Sequence, residues 1–525
     1  MKKFYISIIS LLILWGCSES NNSSIELFAS GAKISGVNGI HFGPDGYLYA
    51  TSVIGSDISV VDTDNKTIVK RYGPKEGVFG PDDVAFNDKG EFYWTTILTG
   101  EVAGFNIQGE KVIAANLGPG VNPITFSDDG RLFVAQCFFG DGLYEVDPLG
   151  IKEPRSIKED LGPNCGLNGM DWGPDGRLYG PRWFNNEVVS LNVDTGEMNV
   201  VVKGLNVPAA VKFNSKGVLH VLDTADGKVL KVIDGQLEVV ATLLTGLDNF
   251  DFNNKDEIFV SSYADGSILK VTDNGIVEIL PGGISHPGGV AVSQNSLVVA
   301  DIQSVRAFNL STKEEDWVIR NIFRSSPLGA STSAASLDNN IILTSWLDNT
   351  VKILDPTNGQ IIKSFDGLNI PISTTKFDGH YAVALHGNTS ISLLKEDGSL
   401  KILSDEFDSP THVINYKDGL LVSDRNRGEL VTVSAEGDTN TLIAGLDSPE
   451  GIAVVEETIF VYEGNTGEIK SISDNKISII AKLSAGSPAA SPMQPPSMVF
   501  NGLVAYEGAV YATDEMKRAI FKITP

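Results

Sequence analysis

Residues 166–194 read GLNGMDWGPDGRLYGPRWFNNEVVSLNVD. The stretch predicts a strand ending at Trp172, a tight turn over Gly173–Gly176, a strand through Leu178–Gly180, a polar loop, and a third strand through Val188–Val193. Pro174 presets φ for the turn, and Gly176 takes a backbone position that a Cβ would resist. The flanking runs are rich in β-branched and aromatic residues and too short for helices.

Versions of this unit recur along the chain. Innermost-strand starts align at Gly39-Ile40-His41-Phe42, Asp83-Val84-Ala85-Phe86, Pro123-Ile124-Thr125-Phe126, Gly169-Met170-Asp171-Trp172, Ala210-Val211-Lys212-Phe213 and Asn249-Phe250-Asp251-Phe252. Their closing aromatics are 44, 40, 46, 41 and 39 residues apart. A weaker series follows, near Gly289, Ser333, Thr374, His412, Gly451 and Gly502. A period of roughly 40 residues with four short strands per unit is the sequence signature of a β-propeller. One such sheet cannot bury both faces alone, so the units must stack around an axis. The expected fold is therefore all-β, two tandem six-bladed β-propellers of four-stranded blades, with a single twelve-bladed ring as the alternative. Ring closure is expected by strand exchange. Residues 25–33 would complete blade six as its outer strand, and the strand near Ile276–Leu280 would complete blade twelve. The domains are then 25–283 for the first propeller and 284–525 for the second.

The chain has 525 residues and a formal net charge of −26. That length calls for more than one domain. That charge argues against nucleic acid, whose phosphates need a basic footprint, and is compatible with bound cations or simply with solubility. No pair of the six histidines has zinc-ligand spacing, no G-x-S-x-G motif occurs, and no Gly-rich phosphate loop precedes Lys-Ser/Thr.

At the N-terminus, Lys2 and Lys3 precede an apolar run from Phe4 to Leu14 and then Trp15-Gly16-Cys17. This resembles a bacterial lipoprotein signal, with residues 1–16 removed, Cys17 lipidated and 17–24 a polar tether. It implies a protein of the cell envelope, lipid-anchored on the periplasmic or cell-surface side. An ordinary secretory signal or a membrane anchor is the alternative, although the run is short for a span. Cys137 and Cys165 fall in loops on the same face of neighbouring blades and are expected to pair in an oxidising compartment.

The residue before each innermost strand should point into the central channel. In the first ring these are Asn38, Asp82, Asn122, Asn168, Ala209 and Asp248. Oxygen ligands converging on an axis suit a hard cation such as Ca²⁺, which makes Asn38, Asp82, Asn122, Asn168 and Asp248 the candidate metal set. Alternatively, Asn and Asp cap tight turns there by bonding their own backbone. Loops between second and third strands bring Gln136, Arg182, Trp183, Asp223 and Tyr263 to the same face, where Arg182 beside Trp183 would hold a carboxylate or sugar edge. A solvated Arg182 with Trp183 packed on its neighbour blade is the plainer alternative. The equivalent inner positions of the second ring are Gly288, Thr332, Ser373, Thr411, Glu450 and Asn501, a less acidic set read as a binding or packing partner.

The pattern Asn-Gly-(Met/Ile)-x-(Trp/Phe)-Gly-Pro-Asp-Gly-x-Leu-Tyr at 38–49 and 168–179 resembles the gluconolactonase-like and paraoxonase-like six-bladed propellers. Residues 423–430, SDRNRGEL, resemble an NHL-repeat blade. The resemblance implies metal or substrate ligands at Asn122 and Asn168. Where the gluconolactonase-like family has Glu and Asp, this chain has Asn38 and Ala209, which removes negative charge. Leu247-Asp248-Asn249 is similar to the Asp-Asn calcium pair of paraoxonases, and Asp223 would compensate for the missing acid. Arg182, Trp183, Asp223, Asn249 and Tyr263 are the candidate ligand-binding residues. Two functions follow as expectations: a membrane-anchored binding protein for a small molecule, glycan or envelope protein, or a calcium-dependent lactone or ester hydrolase.

Overall fold

The computed structural model describes residues 23–322, 328–474, 476–486, 495 and 497–525. The lipoprotein box, including Cys17, lies outside the described residues. Among these residues the chain forms twelve four-stranded antiparallel sheets, with only single-turn 3-10 segments between some strands. In the stretch that sets the pattern, Asp171–Trp172, Leu178–Arg182, Glu187–Leu191 and Met198–Lys203 make one blade. Gly176 closes the turn at φ +76°, in the left-handed region that Pro174 cannot supply.

The blades close as two rings of six. The innermost strand of blade one, Ile40–Phe42, packs on that of blade six, Leu247–Phe252. The Asp251 carboxylate accepts the Phe42 N–H at 2.8 Å, and Ser261 Oγ donates to the Asn38 carbonyl at 2.7 Å. In the second ring, Val290–Ser293 of blade seven meets Leu503–Tyr506 of blade twelve, and Thr513 Oγ1 donates to the Gly288 carbonyl at 2.6 Å. Between neighbouring blades the inward faces of the sheets form the cores. One such cluster joins Ile40, Leu48, Ala50 and Val61 to Phe259, Ile268 and Leu280.

The route of closure corrects the expectation from sequence. Ser24–Ser30 pairs with Ala519–Thr524 and completes blade twelve, not blade six. Gly275–Leu280 stays in blade six, paired with Ile268–Thr272. The reason is local. Only two residues separate those strands, so their hairpin closes at small entropic cost and leaves no outer edge for a distant strand. In blade twelve the outer edge of Ala519–Thr524 is taken by Ser24–Ser30. The chain therefore begins in the second ring, crosses to build the whole first ring, and returns. The two crossings run side by side, with Ala32 N–H donating to the Ile284 carbonyl at 2.8 Å. A Cβ at Gly31 would stand 2.1 Å from that carbonyl oxygen, so the close approach requires glycine.

Contacts beside the crossings join the rings. Arg518 Nε donates to the Ala32 carbonyl at 2.7 Å, Arg320 pairs with Asp265, and Ile322 packs into a cluster containing Trp183 and Tyr263. No helix among the described residues is long and apolar enough to cross a membrane.

Candidate functional site: a cavity between the two rings

The mouth of the first channel is built by a repeated device. In three of the blades the mouth residue's carbonyl is held by a hydroxyl of the preceding blade. Thr51 holds Asp82, Thr95 holds Asn122, and Ser261 holds Asn38. The backbone is fixed by these buried hydroxyls, so the side chains converge on the axis. A cavity of 220 Å³ opens above them.

Its floor is Asn38, Asp82, Asn122, Asn168 and Asp248. Its walls are apolar loops that follow the second strands: Val53 and Ile54, Ile97 and Leu98, Phe138 and Phe139, with Trp183 and Tyr263. Its roof comes from the second ring, through Ile302, Gln303, Leu347 and Met498. Among the described residues no lysine, arginine or histidine lines it.

The electrostatics of the floor are set by two acids. Asp82 is 4% exposed, and its carboxylate makes no hydrogen bond or ion pair among the described residues. Burial, the Asp248 charge and the Asp83 charge push the Asp82 carboxyl well above the usual carboxylate range. Asp248 is pushed up to about 7 by burial and by Asp83, with a hydrogen bond from Asn38 opposing. Burial and the same two mouth carboxylates raise the Tyr263 phenol. Two of the three asparagines are engaged with backbone. Asn38 Oδ1 accepts the Val53 N–H at 3.1 Å, and Asn168 Oδ1 accepts the Gly169 N–H at 2.9 Å.

Deeper in the channel a second acidic group carries its own cation. Lys212 is 5% exposed. Burial works against its charge, but Asp251, Asp171 and Asp83 outweigh it and raise its pKa. Asp83 and Asp171 are each pushed up to about 6, chiefly by burial, with the Lys212 charge opposing. Asn249 lies at this depth, its Oδ1 accepting the Phe250 N–H at 2.8 Å and its Nδ2 standing 3.4 Å from Asp83.

The cavity thus gathers the five proposed metal ligands with Trp183 and Tyr263, and it leaves other proposed ligand residues outside. The Arg182 guanidinium pairs with Glu187 at 2.7 Å and does not line the cavity. Asp223, 3% exposed, accepts the Asn206 N–H at 2.6 Å, and burial pushes it up to about 6. It caps a loop away from the mouth, as Asn249 packs beneath it. Gln136 donates to the Leu117 and Pro119 carbonyls. Cys137 and Cys165 are joined by a disulfide, which ties down the loop carrying Phe138. The Phe138 ring meets Trp183 edge-on at 5.7 Å.

Sequence reasoning missed the apolar loops and the roof. The loop signal was present. Val53-Ile54, Ile97-Leu98 and Phe138-Phe139 are apolar pairs in connections that would ordinarily be polar.

No family model matches the sequence, and the search of curated proteins returned no match. Among solved structures, virginiamycin B lyase from Staphylococcus aureus is similar to 53% of this chain, over 96% of its own length, at 15% identity and a TM-score of 0.39. A streptogramin B lyase structure is similar over 53% of this chain and 94% of its own, at 16% identity and a TM-score of 0.39. The extracellular domain of BT4673 from B. thetaiotaomicron is similar over 95% of this chain and 82% of its own, at 10% identity and a TM-score of 0.33.

Proposed function

We propose that this chain is an extracytoplasmic binding protein, lipid-anchored through Cys17 to a membrane of the cell envelope, which captures a small molecule at the mouth of its first propeller. The observation that carries the reading is the cavity itself. It has a polar floor, aromatic walls and a roof from a second ring. Such a chamber takes a small molecule in preference to a glycan chain or a protein surface, because the roof restricts what enters from above. Concave, mostly apolar sites with a few convergent polar groups are the usual form of small-molecule sites. The Cys137–Cys165 bond supports an oxidising compartment, and the Leu-x-Gly-Cys box supports the anchor.

A thermal-shift screen of a small-molecule library tests this. Genuine ligands raise the melting midpoint of the wild-type chain and lose that effect in Leu347→Trp, which fills the roof. A library whose hits survive Leu347→Trp would place binding elsewhere. Labelled fatty acid incorporated by the wild type and lost in Cys17→Ala tests the anchor.

A second reading, a calcium-dependent lactone or ester hydrolase, is favoured by the unpartnered Asp82 carboxylate. The donor set fits a divalent ion poorly. Among the described residues no group of three or more His, Cys, Asp or Glu side chains stands close enough to hold a metal, and two floor asparagine oxygens already accept backbone N–H groups. A melt in EDTA and then in excess Ca²⁺ decides the point. A site filled at about 100 times its Kd adds roughly 2.7 kcal/mol. A rise of roughly 5–10 °C that Asp82→Asn abolishes would establish the calcium site.

A further inference from the structure

We infer that the cavity between the rings is built for a small organic cation, a protonated amine carried on an apolar or aromatic body, with its ammonium on Asp82 and Asp248 and its body between Trp183, Tyr263 and the roof residues Leu347 and Met498. The inference rests on the reading of the cavity as the binding site and adds the chemical class of what fills it.

Charge is the first ground. Asp82 is buried, lines the cavity and is unpartnered among the described residues, while the walls and roof offer no cation. A buried carboxylate without a partner must hold a proton or meet a positive partner, and a cation in the cavity would relieve that cost. The contrast with the deeper layer is direct. There Lys212, buried among Asp83, Asp171 and Asp251, sets one cation of the chain against their charge. The mouth has the acids without the lysine.

The walls decide which cation. A hydrated divalent ion prefers a shell of oxygen ligands and leaves apolar surface uncovered. Here most of the enclosure is hydrocarbon and aromatic ring. An ammonium group gains from both features, by ion pairing to the carboxylates and by lying against aromatic faces. Tyr263 and Trp183 line the same cavity as both acids, and Trp183 is 2% exposed, held by Phe138. The volume of 220 Å³ accommodates a molecule on the order of ten heavy atoms.

The second ring is then the part that selects the body. Its loops supply the lid over the first ring's acids.

Titration calorimetry of the full chain with three compounds of one shape tests the class: 3-phenylpropylamine, 3-phenylpropan-1-ol and 3-phenylpropanoate, each with and without Ca²⁺. The amine should bind at least tenfold more tightly than the alcohol, and the carboxylate should bind worst. Asp82→Asn, which keeps shape and fold, should bring amine and alcohol within about threefold of each other. Asp248→Asn should act in the same direction, and Leu347→Trp should remove both. Equal binding of alcohol and amine would overturn the cationic class and leave the cavity reading standing. Binding of the carboxylate only with Ca²⁺ would overturn it in favour of a metal site. Failure of all three compounds in a chain that binds neutral library hits sensitive to Leu347→Trp would overturn the class alone. Failure with no such hits would overturn the cavity reading as well.

Discussion

The two rings use the same backbone device at their inner strands and differ in what surrounds the acids of the mouth. In the second ring the mouth acid, Glu450, is fully buried and satisfied. Asn501 donates to it from its backbone and its Nδ2, at 3.0 and 3.2 Å, and Arg425 Nε stands 3.3 Å away. A second acid there, Glu515, faces His286 Nε2 at 3.2 Å, an imidazole that burial pushes down to about 4. In the first ring the equivalent acids, Asp82 and Asp248, look into a cavity with no cation of their own among the described residues. The blade scaffold is common to both. What differs is that the chain gives Glu450 a guanidinium and amide donors and gives the Asp82 carboxylate none among the described residues.

The largest effect is expected where a resident counter-charge is removed. Lys212→Met leaves Asp83, Asp171 and Asp251 without their cation. Stripping one partner from such a buried set costs about 3–5 kcal/mol. Urea denaturation at neutral pH should show that loss in the first ring. If Lys212→Met were neutral, the deeper acids would not depend on that cation, and the contrast with the mouth would fail.

The second expected effect separates the rings by how they are closed. The first ring closes by packing of blade six on blade one, and the second is strapped by Ser24–Ser30. Phe28 anchors the strap. It is 5% exposed and meets Tyr511 and Phe308 edge-on at 5.4 and 6.3 Å. Phe28→Ala should cost about 3 kcal/mol in the second ring. In a calorimetric scan, that is a fall of roughly 6–12 °C for a unit of this size. The component assigned to the first ring should move less. An equal fall in both would mean that the rings melt as one unit.

These closure details show where sequence reasoning stops. The turn at Gly173–Gly176 and the returning aromatics at 42, 86, 126, 172, 213 and 252 are local signals, and they made the blades and the ring sizes legible. The partner of the first strand was not legible. Residues 25–33 would fit the outer edge of any blade that lacked one, and the choice depends on which third strand is left bare at the far end of the chain. The site divides in the same way. Asn38, Asp82, Asn122, Asn168 and Asp248 share a register that repeats along the sequence. The contribution of Ile302, Leu347 and Met498 depends on how one ring lies on the other, which no repeat encodes. Arg182 and Asp223 do not line this cavity, and a charged loop residue looks the same in sequence whether it faces a ligand or, as here, a neighbouring Glu187 or backbone N–H.

A smaller loss is expected at the wall of the cavity. The Cys137–Cys165 bond closes a loop of sequence separation 28 and holds the segment carrying Phe138 against Trp183. Cys137→Ala with Cys165→Ala should cost about 2–4 kcal/mol, largely by freeing the unfolded chain. Ligand binding should weaken by more than the loss of stability alone explains, because Phe138 is no longer positioned. Unchanged affinity in the paired variant would exclude Phe138 from the wall.

The smallest expected effect is the most specific to the comparison. Asp82 and Asp248 have folded-state pKa values above those of the unfolded chain, with Asp248 at about 7 against an ordinary 3.8. Between those values the folded chain holds protons that the unfolded chain has released. Stability therefore falls as pH rises from about 4 to about 7 in the absence of a bound cation. Other raised acids, Asp83, Asp171 and Glu450, contribute in the same direction, so the mouth must be isolated by difference. The double variant Asp82→Asn with Asp248→Asn should melt a few degrees higher than the wild type at pH 7 and no higher at pH 4, on the order of 1 kcal/mol. A saturating cationic ligand should close the gap at pH 7 and do nothing for the variant. An equal gap at both pH values would mean that the two mouth carboxylates are not held protonated by their surroundings, and the first mouth would then be no more in need of a partner than the second.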